Sequence, residues 1–238
     1  MSELSGDSYV VLLSRLHAFL EPRTYVEIGV WEGASLMLAQ PGTITVGIDP
    51  DPRITSGLPD HIRVVEESSD RFFEHRDLRR ELGGKAVELA FIDGMHQFEF
   101  VLRDFMNVEA SCAEDALILI HDCYPRDAAS SVRDPAPGTD FWTGDVWRAV
   151  VALRRHRADL DVVTLACPPS GVGLVRNLDP ESSVLHERYE QIVEEMLAYE
   201  FSSFEQSQDA ELNLTPGDWP TVRRLLEAGS APRGSVRR

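Results

Sequence analysis

Apolar positions along the chain recur with two periods, one helical and one of short strands. Tyr9, Leu12, Leu13, Leu16, Phe19 and Leu20 fall at helical spacing. They predict an amphipathic helix over 8–20, capped by Asp7 or Ser8 and stopped at Pro22. Short β-branched and apolar runs follow at 24–28, 43–48, 62–65, 87–92 and 116–120. The last two are apolar almost throughout, as strands buried on both faces should be. Between the runs lie helix-like segments. One spans Ala34 to Ala39, and an Arg-rich one runs from about Ser68 to Leu82. A third sets Phe98, Val101, Phe105 and Val108 on one face.

The second half reads in the same way. Residues 123–144 form a long loop with Pro125, Pro135, Pro137, Gly138 and Gly144, of the kind that serves as a lid or stays disordered. A helix over 145–157 turns Val146, Trp147, Val150 and Leu153 inward. Strands over 161–166 and 171–177, joined by the turn Cys167–Ser170, predict an antiparallel pair at one edge of the sheet. Leu185, Tyr189, Ile192, Met196 and Leu197 mark a further helix. Residues 202–209 read as a polar loop, 219–226 as a short last helix, and 229–238 as a disordered tail.

Composition narrows the partners. The 238 residues carry a formal net charge of −17, which repels phosphate backbones and anionic lipid. Nucleic acid and membrane surfaces are therefore not expected partners. Cys112, Cys123 and Cys167 are far apart and form no CxxC, so neither a disulfide framework nor a zinc knuckle is expected. No apolar run approaches the roughly 20 residues of a membrane span, and no signal peptide is evident. A reducing cytoplasm is the expected setting.

The candidate chemistry gathers at strand ends. Tyr25 to Ser35 reads as strand, tight turn, helix. Gly29 lets the chain turn and a ligand touch backbone, and Gly33 lets the helix start close to the strand. Glu27 is an acceptor beside that gap. This suits a nucleotide-like ligand, although the first glycine of a dinucleotide fingerprint is missing. An ordinary turn is the plain alternative. Asp49 ends the second strand about 20 residues after Gly29, where an acid can accept from ribose hydroxyls. As a plain residue it is a turn former before Pro50. Ser68 contacts a base ring or merely caps a helix. The fourth strand ends in Asp93-Gly94-Met95-His96 and the fifth in His121-Asp122. In open α/β sheets ligands sit outside the carboxyl ends of strands, so these residues share one rim. His96 could equally bond helix backbone, and His121 could be a buried partner. Trp31, Phe141 and Trp142 line an acceptor pocket or simply pack.

Three motifs carry a resemblance: Glu27-Ile28-Gly29-Val30-Trp31-Glu32-Gly33-Ala34-Ser35, Ile92-Asp93-Gly94-Met95-His96 and His121-Asp122. In this order on these strands, the chain resembles a class I S-adenosylmethionine-dependent methyltransferase. It is similar to the small bacterial branch that contains natural-product sugar O-methyltransferases. The resemblance covers about residues 24–177. It implies an α/β fold with a Rossmann-like seven-stranded, mostly parallel sheet, an antiparallel edge strand and helices on both faces. A methyltransferase domain would span 1–180 and a C-terminal helical extension 181–228. The extension would be a homo-oligomer interface or a wall of the substrate pocket.

The implied cofactor is S-adenosylmethionine, held by Glu27, Gly29, Gly33, Ser35, Asp49, Ser68 and Asp93. The resemblance also implies magnesium at Asp93, Asp122 and His121, with His96 as general base. The sugar-methylating relatives carry an acid where this chain has His121. The implied reaction is O-methylation of a small-molecule hydroxyl, on a sugar or another secondary metabolite. Two other classes remain. One is a non-catalytic nucleotide-binding scaffold. The other is a nicotinamide-dependent oxidoreductase, which the missing GxGxxG and the lack of a Tyr-x-x-x-Lys pair disfavour.

Overall fold

The computed structural model describes residues 4–229. The expected tail over 229–238 lies outside them except for Gly229, which ends a helix. The strands are β1 (Thr24–Ile28), β2 (Ile44–Ile48), β3 (Ile62–Val65), β4 (Val87–Ile92), β5 (Cys112–His121), β6 (Asp161–Leu165), β7 (Val172–Arg176) and β8 (Leu214–Thr215). The helices are α1 (Tyr9–Leu20), α2 (Ser69–His75), α3 (Leu78–Glu81), α4 (Phe98–Glu109) and α5 (Trp147–His156), then α6 (Val184–Ala198), α7 (Phe201–Phe204), α8 (Gln208–Glu211) and α9 (Trp219–Gly229).

All eight strands form one sheet in the order β3-β2-β1-β4-β5-β7-β6-β8. Only β7 runs against its neighbours, β5 and β6. The antiparallel strand therefore lies inside the sheet rather than at its edge. The edge beyond β6 is taken by β8, a two-residue strand too short to leave a periodic signal.

Alternation along the strands builds two cores, as the period of two requires. Val26, Ile28, Ala90, Ile92, Ile118 and Ile120 face the layer of α4, α5 and α6. Tyr25, Leu89, Phe91, Leu117 and Leu119 face α1 and α9, through Leu12, Leu13, Leu16, Val222 and Leu226. The C-terminal helices contribute to both cores, with Leu185, Ile192 and Met196 in the first.

Several local expectations change. The segment after β1 makes only a 3-10 turn, Leu36–Leu38, not a helix. Pro41 follows too soon for an i to i+4 ladder to develop. The Arg-rich segment splits into α2 and α3, because Asp77 takes an extended conformation and caps the second piece through Arg80 N–H. The stretch 202–209 forms α7, a 3-10 turn and the start of α8 instead of a loop. Phe204, fully buried and stacked on Trp147 at 3.8 Å, pulls it into the core. Among the described residues no helix is long and apolar enough to cross a membrane.

One buried polar side chain sets a pH limit on this fold. His17 packs edge-on against Tyr25, ring centroids 4.5 Å apart, and neither of its ring nitrogens has a partner. Burial lowers its pKa to about 4. The folded state thus refuses a proton that the unfolded chain accepts near 6.5, so stability is lost as pH falls from about 6.5 towards 4. Between pH 7 and 5 this group costs about 2 kcal/mol. Urea unfolding of His17→Phe should lose that much less over the same interval. An unchanged pH slope would mean that His17 is already charged in the fold.

Candidate active site

Register places the rim. Ile28 pairs with Ile48 on one side and Ile92 on the other, and Ile92 pairs with Ile120. One residue beyond this common rung stand Asp49, Gly29, Asp93 and His121. The four are thus set side by side by parallel pairing, not by chance of loop folding. The rung continues into the turns, with Gly29 N–H donating to Ile48 at 2.9 Å and Asp93 N–H to Ile28 at 2.8 Å.

Gly29 is required where it stands. Its φ is +84°, and a Cβ there would lie 2.0 Å from the Asp93 carbonyl oxygen. Gly33 also has a left-handed φ, +80°, and faces Ile54 from the segment after β2. No helix starts there, so this contact stands in place of the expected close packing of a helix on the strand. Glu27 is fully buried. The Tyr25 hydroxyl donates to one of its oxygens at 2.6 Å and the Ser35 hydroxyl to the other at 2.7 Å. Burial pushes its carboxyl up to about 8, against those hydrogen bonds. Glu27 and Ser35 thus brace the turn from beneath.

Asp49 has a similar duty. Its Oδ2 accepts from the backbone of Val30 at 2.7 Å and Trp31 at 2.8 Å, and its Oδ1 from Asp51 N–H at 2.7 Å. A carboxylate has about four acceptor positions, so these three bonds leave one unused. Trp31, at φ +50°, is 56% exposed under the Arg53 guanidinium. Ser68 caps α2 through Arg71 N–H at 3.3 Å and lines an open depression of about 910 Å³ with Asp70, Arg71, Glu74 and His75. It stands apart from the acid–imidazole group described next.

At the ends of β4 and β5 two carboxylates and two imidazoles meet. His96 Nε2 lies 3.1 Å from Asp122 and 3.6 Å from Asp93. His121 Nδ1 lies 3.1 Å from Asp93 and 3.5 Å from Asp122. Its Nε2 is 3.4 Å from the Ser170 hydroxyl. Asp122 reaches back to the group because its own φ is +57°. Burial lowers both imidazoles, but the carboxylates outweigh it: His121 rises to about 9, and His96 rises as well. Burial would raise Asp93, yet His121 and His96 hold it below the ordinary range. Asp122 is raised, chiefly by burial. Among the described residues, Asp93, His96 and Asp122 can each offer one donor atom within 4.8 Å of the others. His121, expected in that trio, is instead engaged with Asp93 and Ser170.

The long loop reaches the same place. Trp142 stacks on His96, centroids 4.7 Å apart, and donates its indole N–H to Val132 at 2.6 Å. A Cβ at Gly144 would sit 1.7 Å from the His96 carbonyl oxygen. Asp145 N–H donates to that oxygen at 3.2 Å, while the Asp145 carboxylate accepts from Phe98 N–H at 2.9 Å. Arg133 ties the loop to Asp145 and Glu99. Two further aromatics reach the site: Tyr9, whose ring lies 4.3 Å from that of His121, and Phe91 at 5.8 Å. Sequence reasoning missed Tyr9, Ser170, Gly144 and Asp145. Tyr9 reads as one more apolar position of a helix. Only the Gly144-Asp145 pair, a turn glycine followed by a capping acid, left a readable signal.

The comparisons fit this geometry. Residues 26–123 match a family model described as a methyltransferase domain. No curated protein matches the chain. Among solved structures it is similar to cofactor-bound Rv0187 from MTB, with 17% identity over 71% of this chain and 78% of that one and a TM-score of 0.54. It is similar to the SAH-bound methyltransferase PaMTH1 of Podospora anserina, with 16% identity over 71% and 78% and a TM-score of 0.55. A third is the O-methyltransferase TomG of Streptomyces achromogenes, involved in tomaymycin synthesis and in complex with SAM, with 16% identity over 71% and 79% and a TM-score of 0.53.

The bracing role of Asp49 is open to a direct check. Asp49→Ala strands the N–H groups of Val30, Trp31 and Asp51, and should cost about 3 kcal/mol in urea unfolding. Stability unchanged to within about 0.5 kcal/mol would mean that water replaces the carboxylate without penalty.

Proposed function

We propose that this chain, which carries a methyltransferase domain on the fold of class I S-adenosylmethionine-dependent methyltransferases, moves a methyl group from that cofactor to a hydroxyl of a small molecule. The carrying observation is the meeting of Asp93, His96 and Asp122 at the carboxyl ends of β4 and β5, one strand over from the braced Gly29 turn. The acceptor class is a sugar or another secondary metabolite. The likeness to TomG, an O-methyltransferase, supports oxygen as the acceptor atom.

The residues divide the work as follows. Gly29 and Gly33 leave backbone bare for the methionine part of the cofactor, above the Glu27–Ser35 brace. Asp49 takes the ribose through its open acceptor position, Ser68 stands towards the base, and Asp93 faces the methionine end. A sulfonium carries its own leaving group, so the enzyme chiefly places an oxygen in line with the methyl. His96, beside both carboxylates and under Trp142, receives the acceptor proton. Asp122 stabilises the imidazolium that results.

The same donor set fits a divalent cation. Two carboxylate oxygens suit magnesium, and an imidazole nitrogen at the same spot widens the choice to first-row metals. Asp93 and Asp122 would hold the ion, which when bound supplies positive charge that acidifies the acceptor hydroxyl. His121 keeps Asp93 oriented in either case. A reducing cytoplasm is the setting we propose, since Cys112, Cys123 and Cys167 are widely spaced and form no CxxC.

Calorimetry tests the reading. S-adenosylhomocysteine should bind and NADH should not, with or without EDTA. In an acceptor screen with sugars and phenols, His96→Gln should keep that binding within about twofold and lower turnover about a hundredfold or more. Binding of neither ligand would leave a scaffold that keeps the fold. Full turnover by His96→Gln would remove His96 as the base.

A further inference from the structure

Aromatic rings flank the group at the ends of β4 and β5, among them those of Trp142 and Tyr9. Trp142 comes from the long loop, as a residue near the site is expected to. Tyr9 comes from the first turn of α1, far away in sequence, and its ring covers His121 at 4.3 Å with a tilt of 44°. Phe91 of β4 completes the cluster, 6.2 Å from the Tyr9 ring and nearly parallel to it, and 5.8 Å from that of His121. The phenol is half-buried, and burial together with Asp93, Asp122 and Glu27 raises its pKa. It therefore stays a neutral hydroxyl beside three carboxyl groups.

The chain takes pains to put Tyr9 there. Gly6 N–H donates to Ala166 at 2.9 Å, Asp7 N–H to Gly217 at 3.2 Å and Tyr9 N–H to Pro168 at 3.3 Å. The Asp7 carboxylate accepts from Trp219 N–H at 3.1 Å. A Cβ on Gly6 would lie 2.6 Å from Gly217 Cα, and one on Gly217 would lie 2.7 Å from Cys167 Sγ. Backbone packs on backbone at this junction, which leaves the segment before α1 no slack. The C-terminal extension thereby holds the N-terminal strap, and the strap delivers the ring.

We propose that Tyr9 is a positioning residue of the methyl transfer: packed on His121, it holds the imidazole in the orientation that bonds Asp93, and so aims the Asp93 carboxylate at the reacting groups. This rests on the methyltransferase reading. His121 has Asp93 at one nitrogen and Ser170 at the other, 3.1 and 3.4 Å away. Those two contacts fix the ring's edges. Tyr9 at 4.3 Å and Phe91 at 5.8 Å pack on the ring, and without the nearer one it gains room to tilt away from both contacts. The C-terminal extension on this account serves the site through the strap.

Two measurements decide. In the wild-type protein, cross-relaxation between the Tyr9 and His121 rings should be visible by NMR, and its absence overturns the proposal. Tyr9→Leu and Tyr9→Met should shift the His121 side-chain nitrogen resonances and lower kcat at least tenfold, with S-adenosylhomocysteine affinity within twofold. Tyr9→Phe, which keeps the ring, should restore both. His121 resonances and kcat that match the wild type in folded Tyr9→Leu or Tyr9→Met overturn it, as does failure of Tyr9→Phe to restore them. The resonances need no turnover. A wild type that binds no S-adenosylhomocysteine defeats the methyltransferase reading instead, and is recognised separately.

Discussion

Backbone meets backbone where the turn after β1 passes the end of β4. A single added carbon at Gly29 would fall 2.0 Å from the Asp93 carbonyl, so the two turns can stay this close only while that position lacks a side chain. Everything on the rim follows from that closeness and from parallel register. The rung Ile28, Ile48, Ile92 and Ile120 aligns four strands, and the next residue of each supplies Gly29, Asp49, Asp93 and His121. Apolar packing on both faces holds the rung, and the polar row comes as its continuation.

The polar row is kept in place by an inner layer of acceptors. Glu27 is spent on Tyr25 and Ser35, and Asp49 largely on three backbone amides. Fixed carboxylates of this kind hold a loop that has no helix to lean on, since the segment after β1 closes in one 3-10 turn. Further along the rim, two imidazoles sit between two carboxylates, and each imidazole is covered by an aromatic ring. A layered arrangement results, with buried acceptors beneath and paired acids and imidazoles above.

Much of this could be read from the chain before folding was considered. The buried runs of β4 and β5, the stripe of α1 and the acids at strand ends all carry local periodicity, and each stands where expected. What escaped was decided by distance. β8 exists only because β6 offers an edge. Phe204 turned a polar-looking stretch into α7 by stacking on Trp147. A helix after β1 was suggested by apolar residues, but Pro41 limits the segment to a turn. Tyr9 looked like core because its spacing is that of core, and nothing local says that one of those rings reaches His121. His121 itself was readable as a strand-end residue, while its pairing with Asp93 depends on β4 lying beside β5, and that with Ser170 on β7 lying on the other side.

The junction of Gly6, Asp7, Gly217 and Trp219 has a consequence for the order in which the molecule is made. The Asp7 carboxylate finds its Trp219 amide 212 positions later in the chain. During synthesis the residues before α1 emerge 212 positions ahead of the Trp219 amide, so this part of their docking surface comes late. Contacts of such long sequence separation form late and slow folding. The strands around β1 and β4 can pair well before then, so a growing chain holds the rim before the strap that carries Tyr9 is tied down at Gly217 and Trp219. Fixing of the strap therefore waits on the segment around Gly217, and a chain cut before it carries the strands of the rim with the strap only half tied.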